Sequence, residues 1–289
     1  MAFKIVTDSS CNLSEEMVDE FQLEVLPLTY MVDEVQYPCF LKGGGGELSK
    51  FYDMLRNDKV ITTSLPNQAN TETTLRGLLD EGLDLLYVGF SSAISGTYEA
   101  TERLMARLSS EYPDRKLLSV CTNAAAGGEG LLVWLTAKKA KEGASIEECF
   151  DFVQETRDSI CLWFTVEDLK YLFRGGRLSK TSFVAASMLN IKPVLHVDNE
   201  GALIPMDKVR GRKKSIKALC DHMEQTAIDP ASQTVFISHG DCLEDVETLK
   251  SLITQRMGVT NYVVNVLDPV IGAHAGPGTL ALFFIGTQK

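Results

Sequence analysis

Residues 84–108, DLLYVGFSSAISGTYEATERLMARL, decide the fold class. The opening DLLYVGF is almost unbroken apolar, the pattern of a strand buried on both faces of a parallel sheet. Ser91, Ser92, Ser95 and Thr97 follow in a loop, and Gly96 opens a helix. The same order recurs on either side. Residues 3–6 read as a strand leading into TDSSCNLSEE, where Ser14 caps a helix carrying Glu15 and Glu16 in its first turn. Residues 23–31 read as a second strand and 51–56 as a helix. ITTSLPNQAN reads as a loop before a helix over about 72–80. KLLSVC is a further strand and GGEGLLVWLTAKKA a further helix. Strand, loop and helix in repetition predict a three-layer α/β unit around a parallel sheet, with ligands gathering beyond the strands' carboxyl ends.

The second half changes character. Ser145-Ile146-Glu147-Glu148 is a capping box opening a helix to about Arg157, and ICLWFTV is a strand. The next helix ends at RGGR, with Gly175 suited to a left-handed cap. KPVLHVDNEGALIPM reads as an antiparallel hairpin turning at Asn199-Glu200-Gly201. Helix 212–225, strand TVFISH, helix 243–257, strand NYVVNVL, an open glycine loop and a final strand TLALFFIG complete an α+β unit with a mixed sheet. The expected division is an α/β domain over 1–155 and an α+β domain over 156–289.

The chain has 289 residues, 45% hydrophobic and 23% charged, which favours two domains over one. Its net charge of −11 argues against a nucleic-acid partner, which needs a positive stripe. The one basic run, KVRGRKK at 208–214, reads as a solvated strand-to-helix turn. Seven scattered cysteines without a CxxC pair read as reduced thiols of a cytoplasmic protein. The N-terminus reads as a strand, not a leader, and no apolar run suits a membrane span. Neither histidines nor carboxylates show metal spacing, and no glycine motif supports a nucleotide cofactor. KGGGGE at 42–47 lacks the ending of a phosphate loop and reads as a flexible loop.

Two hydroxyl-rich loops, around Ser95 and around Thr63, suit either helix capping or an anion held by free backbone N–H groups. Gly89-Phe90-Ser91-Ser92-Ala93 approaches a nucleophile elbow, but Ala93 stands at the second glycine and the helix starts late. A Ser-His hydrolase using Ser91 or Ser95, with His274 as base oriented by Asp268, is the competing reading. His274 stands out, flanked by Gly272 and by Gly276-Pro277-Gly278. His222 reads as a surface residue, His196 as structural, and His239 as a strand-end cap. Arg177 and Arg210 are the arginines most suited to a site; a helix-dipole role serves Arg177 equally well.

In order, TDSS, TSLP, SSAISGTYEA, LFRGGRLS, LNIKPVL, KVRGRKK and VIGAHAGPG make the whole chain resemble the DegV family. That resemblance implies an α/β domain meeting an α+β domain, with one long-chain fatty acid in a buried tunnel between them. It implies a non-catalytic acyl-binding subunit, without cofactor, that presents the carboxylate to a separate ATP-dependent fatty acid kinase. It also leaves room for transient membrane contact. By motif, Thr63 and Ser95 would bind the carboxylate, with His274 beside it. Arg177 would add charge at the mouth, and Arg210, with His274, would support phosphoryl transfer. A carrier of another amphipathic carboxylate, with no kinase, is a further alternative. The chain departs from the family pattern at Leu65, Asn67, Thr122-Asn123 and KGGGGE, which predicts an altered polar shell at the head group. Burying about fourteen methylenes yields roughly 11 kcal/mol gross, enough for tight binding after association costs.

Overall fold

The computed structural model describes residues 3–39, 48–179 and 191–287; the KGGGGE loop and Leu189-Asn190 of LNIKPVL lie outside them. The first sheet is parallel, in the order β2 (Glu24–Leu26), β1 (Phe3–Asp8), β6 (Asp84–Gly89), β7 (Leu117–Cys121). Alternation along β6 sets its layers. Leu85 and Tyr87 pack with Leu75 of α3 (Gln68–Asp80) and Leu108 of α4 (Thr97–Glu111). Leu86 and Val88 face the other way, into a core with Leu131 of α5 (Gly127–Lys141) and Val153 of α6 (Ile146–Thr156). Side chains of period two on a sheet covered twice account for the uninterrupted apolar run.

The second sheet is mixed and six-stranded, ordered β10 (Leu203–Arg210), β9 (Ile191–Val197), β8 (Ile160–Thr165), β13 (Leu280–Ile285), β11 (Thr234–His239), β12 (Asn261–Val266). One face carries Trp163, Leu280, Leu282 and Phe284 against α8 (Arg212–Thr226) and α9 (Leu243–Met257). The other turns Leu162, Phe164, Ala281 and Phe283 toward α5. Helix α5 therefore lies between the two sheets, which is why its buried residues run from Gly127 to Ala137 around much of its circumference.

Four expectations need correction. Residues 23–31 are not one strand: the chain breaks after Leu26 at Pro27, and β3 (Thr29–Val32) joins a different sheet. That sheet is antiparallel, β4 (Val35–Pro38), β3, β5 (Thr62–Ser64), so the supposed TTS loop is a strand. The open glycine loop is a helix, α10 (Pro269–Ala275), with Asp268 as cap and Pro269 in its first turn. Its glycines admit aromatic rings: a Cβ at Gly272 would meet Phe51 and Tyr52 at 2.8 Å, and one at Gly276 would overlap Tyr171. Finally, Gly175 caps α7 (Lys170–Arg174) in right-handed geometry, and the left-handed residue is Gly176, at φ 76°.

Candidate functional site

An apolar cavity of about 180 Å³ lies where the three sheets meet. Its walls come from β8 (Leu162, Phe164), β13 (Ala281, Phe283), the start of β10 (Leu203), α10 (Val270, Ile271) and the loop after β6 (Phe90, Ile94). Among its lining residues Ser64 and Leu65 are exposed, and they mark the mouth.

Thr63 of β5 and His274 of α10 meet there, Oγ1 to Nε2, at 2.7 Å. Arg177 donates from Nε to the carbonyl of Ile94 at 3.1 Å and from Nη1 to the carbonyl of Gly175 at 2.6 Å. Gly175 in turn lies against the His274 ring, where a Cβ would overlap Nδ1. Ser95, next to Ile94, bonds Thr97 at 2.9 Å. The structure thus brings Thr63, Ser95, Arg177 and His274 together on one cavity, from residues 63 to 274 of the chain.

This mouth is short of partners. His274 Nδ1 is buried without a hydrogen bond among the described residues. Burial, and then the Arg177 guanidinium, push the imidazole down to about 4, so it is neutral near pH 7. Burial also lowers the pKa of Arg177, and among the described residues no carboxylate answers its charge. A half-buried cation with neutral donors around it and an apolar cavity behind suits one monoanionic head group with a hydrocarbon tail.

The site departs from the sequence reading in several ways. In the loop after β6 several of the amides are already paired. Phe90 N–H goes to Asp8, Ser91 N–H to the Ala124 carbonyl, and Ile94 and Ser95 N–H to the Ser91 carbonyl. Arg210, paired with Ile191 at the end of β10, is exposed and does not line the cavity. In the basic run, Arg212 is tied down, to Asp245 and to the Gly278 carbonyl. His222 is no free surface residue: it stacks on Trp163 at 3.6 Å between centroids and bonds Asp207 at 2.9 Å. In keeping with the sequence reading, His196 is buried and bonds the Leu162 carbonyl, and His239 accepts from the Cys242 N–H, a capping role.

The hydrolase triad is not assembled. Ser91 is fully buried and donates to the Gly201 carbonyl at 2.8 Å. Asp268 caps its own helix through Oδ1, while among the described residues its Oδ2 and His274 Nδ1 each have no partner, so the two are not bonded to each other. The departures from the family pattern also find places. Asn67 caps α3, and Thr122 bonds the Gly89 carbonyl. Asn123 donates to the Asn199 carbonyl at 3.1 Å, and of the departures among the described residues Leu65 alone lines the cavity. Among the described residues no group of three or more His, Cys, Asp or Glu could hold a metal ion, and no helix is long and apolar enough to cross a membrane.

The TDSS motif builds something else. Asp8 and Glu129 are both fully buried, and Ser10 Oγ bridges them, donating to Glu129 at 2.8 Å and lying in close contact with Asp8. Thr7 donates to Glu129, and Tyr87 OH and Phe90 N–H donate to Asp8. Burial raises both carboxyl pKa values, and for Glu129 the neighbouring Asp8 adds to it. Sequence reading missed this network because isolated acids near helix starts look like surface caps. It missed the apolar wall as well, although the alternation in LALFF marks its face.

The model of the DegV family, described as "Uncharacterised protein, DegV family", matches residues 2–287. The chain belongs to the DegV family. A DegV domain-containing protein of Clostridium perfringens is 38% identical over 99% of this chain and 98% of its own length. A DegV lipid-binding protein of Thermotoga maritima has a TM-score of 0.85 at 26% identity, covering 100% of both chains. A DegV family protein of Thermus thermophilus, described by its fatty acid binding, has a TM-score of 0.86 at 26% identity, covering 99% of this chain and 100% of that one. The mixed α/β architecture is that of these DegV structures.

Proposed function

We propose that this DegV protein holds one long-chain fatty acid in the cavity, with its carboxylate at the mouth formed by Thr63, Ser95, Arg177 and His274. The single observation that carries this is the Arg177 guanidinium lining a mainly apolar cavity with no carboxylate beside it among the described residues. A bare carboxylate is too costly to bury, and Arg177 with hydroxyl donors offsets that cost. The fatty-acid binding of the Thermus and lipid binding of the Thermotoga relatives support the same reading.

On this reading the protein is a cytoplasmic carrier without a cofactor, its halves dividing near residue 155, and it presents the head group to a separate ATP-dependent kinase. Exposure of the mouth gives such a partner access. Arg210, lying away from the cavity, would act from the docking face, and His274 beside the reacting oxygen. The test is loading with radiolabelled palmitate, then addition of ATP and the kinase, with hydroxylamine to trap acyl phosphate. Hydroxamate formed only when carrier and kinase are both present supports the reading. Stoichiometric loading without any hydroxamate would leave a carrier and remove the kinase. Ester hydrolysis by the protein alone would overturn it.

A further inference from the structure

The face of β13 that borders the cavity runs from the mouth inward. Thr279 lies at the mouth end, its Oγ1 donating to the carbonyls of Ala275 and Gly276 beside His274. Ala281 and Phe283 follow on the same face, while Leu280, Leu282 and Phe284 pack into the core behind the sheet. Strand β8 doubles this face: Ala281 is registered with Phe164 and Phe283 with Leu162.

The two rows differ in what they leave open. At the first, alanine faces the cavity beside a phenylalanine, leaving a gap. At the second, two large side chains meet, and Phe283 has no exposed surface. Its ring is braced from behind by the first turn of α5. A Cβ at Gly127 would meet Phe283 at 2.7 Å, and one at Gly128 would meet it at 3.0 Å and Leu162 at 3.3 Å. Glycine at both positions lets ring and helix close on each other.

We propose that β13 is the ruler of this cavity: Phe283 is the floor at which an acyl chain stops, and Ala281 is the gap it passes. The proposal rests on the fatty-acid reading and adds which chains fit. At a strand rise of about 3.4 Å per residue, Thr279 to Phe283 spans roughly 13.5 Å. An extended hydrocarbon advances roughly 1.3 Å per carbon, so this stretch takes about ten carbons beyond the mouth. The floor therefore sets an upper limit on the length of chain that fits.

The test offers the purified protein an equimolar mixture of straight-chain fatty acids from decanoic to docosanoic and reads the bound set by native mass spectrometry. The wild type should bind up to a sharp limit. Ala281→Phe, which adds bulk at the gap without removing packing, should shorten that limit by about five carbons, one row of the ruler. Phe283→Ala should lengthen it by about two to four carbons; where that variant is too unstable, Phe283→Leu should lengthen it by about two. Folded variants with the wild-type length profile would overturn the ruler and leave fatty-acid binding intact. A wild type that takes no fatty acid of any length would overturn both.

Discussion

The polar cluster around Asp8 and Glu129 and the one around His274 differ in whether their needs are met. Around Asp8 and Glu129 every side chain has partners: Thr7, Ser10, Tyr87 and the Phe90 amide surround two buried carboxyls. Around His274 the needs stay open, with Nδ1 unpartnered and Arg177 facing no carboxylate among the described residues. Buried polar groups normally find partners, so a satisfied cluster is architecture and an unsatisfied one at a cavity mouth is a site. The distinction also demotes the serine nearest a nucleophile motif, because Ser91 spends its hydroxyl on the hairpin at Gly201.

The comparison breaks most directly at Arg177. Arg177→Leu should weaken fatty-acid affinity by about a hundred- to a thousandfold, on the order of 3–4 kcal/mol, because the carboxylate is left buried without its cation. Thermal stability of the unliganded protein should not fall, which calorimetry checks. A loss of both would make Arg177 part of the architecture.

The next largest effect concerns Asp268, whose pKa burial raises to about 7. A carboxyl whose folded pKa lies above its unfolded value stabilises fully below pH about 4 and loses that contribution as pH rises to about 7. Asp268→Asn keeps an N-cap acceptor and removes the titration. Urea unfolding should show the variant equal to wild type near pH 4 and more stable by a few kcal/mol near pH 8. A constant difference across that range would contradict the assignment.

His274 comes third. His274→Ala should cost about tenfold in affinity, the worth of one hydrogen bond to a charged group. A bound carboxylate raises the histidine's pKa, so wild-type binding near pH 5 should take up a fraction of a proton, and the variant should not. Titration calorimetry in buffers of different ionisation enthalpy reads this directly. The smallest effect is at Ser91. Ser91→Ala should lower stability by about 1 kcal/mol and leave affinity unchanged, and a serine-reactive phosphonate should label neither protein.

Much of the fold is legible in local pattern. The apolar run at 84–90 and its repeats give the parallel sheet, and the turn at Asn199-Glu200-Gly201 gives the hairpin, with Gly201 at φ 82°. The small third sheet is not legible, because β5 is three hydroxyl-bearing residues with no apolar face, paired with β3 more than thirty positions away. Helix α10 is hidden by its glycines, which the packing of Tyr52 and Tyr171 requires and helix propensity disfavours. The site residues Thr63, Ser95, Arg177 and His274 carry motifs, yet their convergence is a tertiary fact. What makes them a site is a guanidinium that faces no carboxylate among the described residues, and that depends on tertiary packing.

The most direct test is the carbon-13 resonance of carboxyl-labelled palmitate bound to the protein. A carboxylate at Arg177 should give one bound resonance per chain, held ionised and unmoving from about pH 5 to 8. Arg177→Leu should abolish that resonance or let it titrate. No bound resonance in the wild type, or one titrating as it does at an exposed surface, would contradict a lipid held by its head group at this mouth.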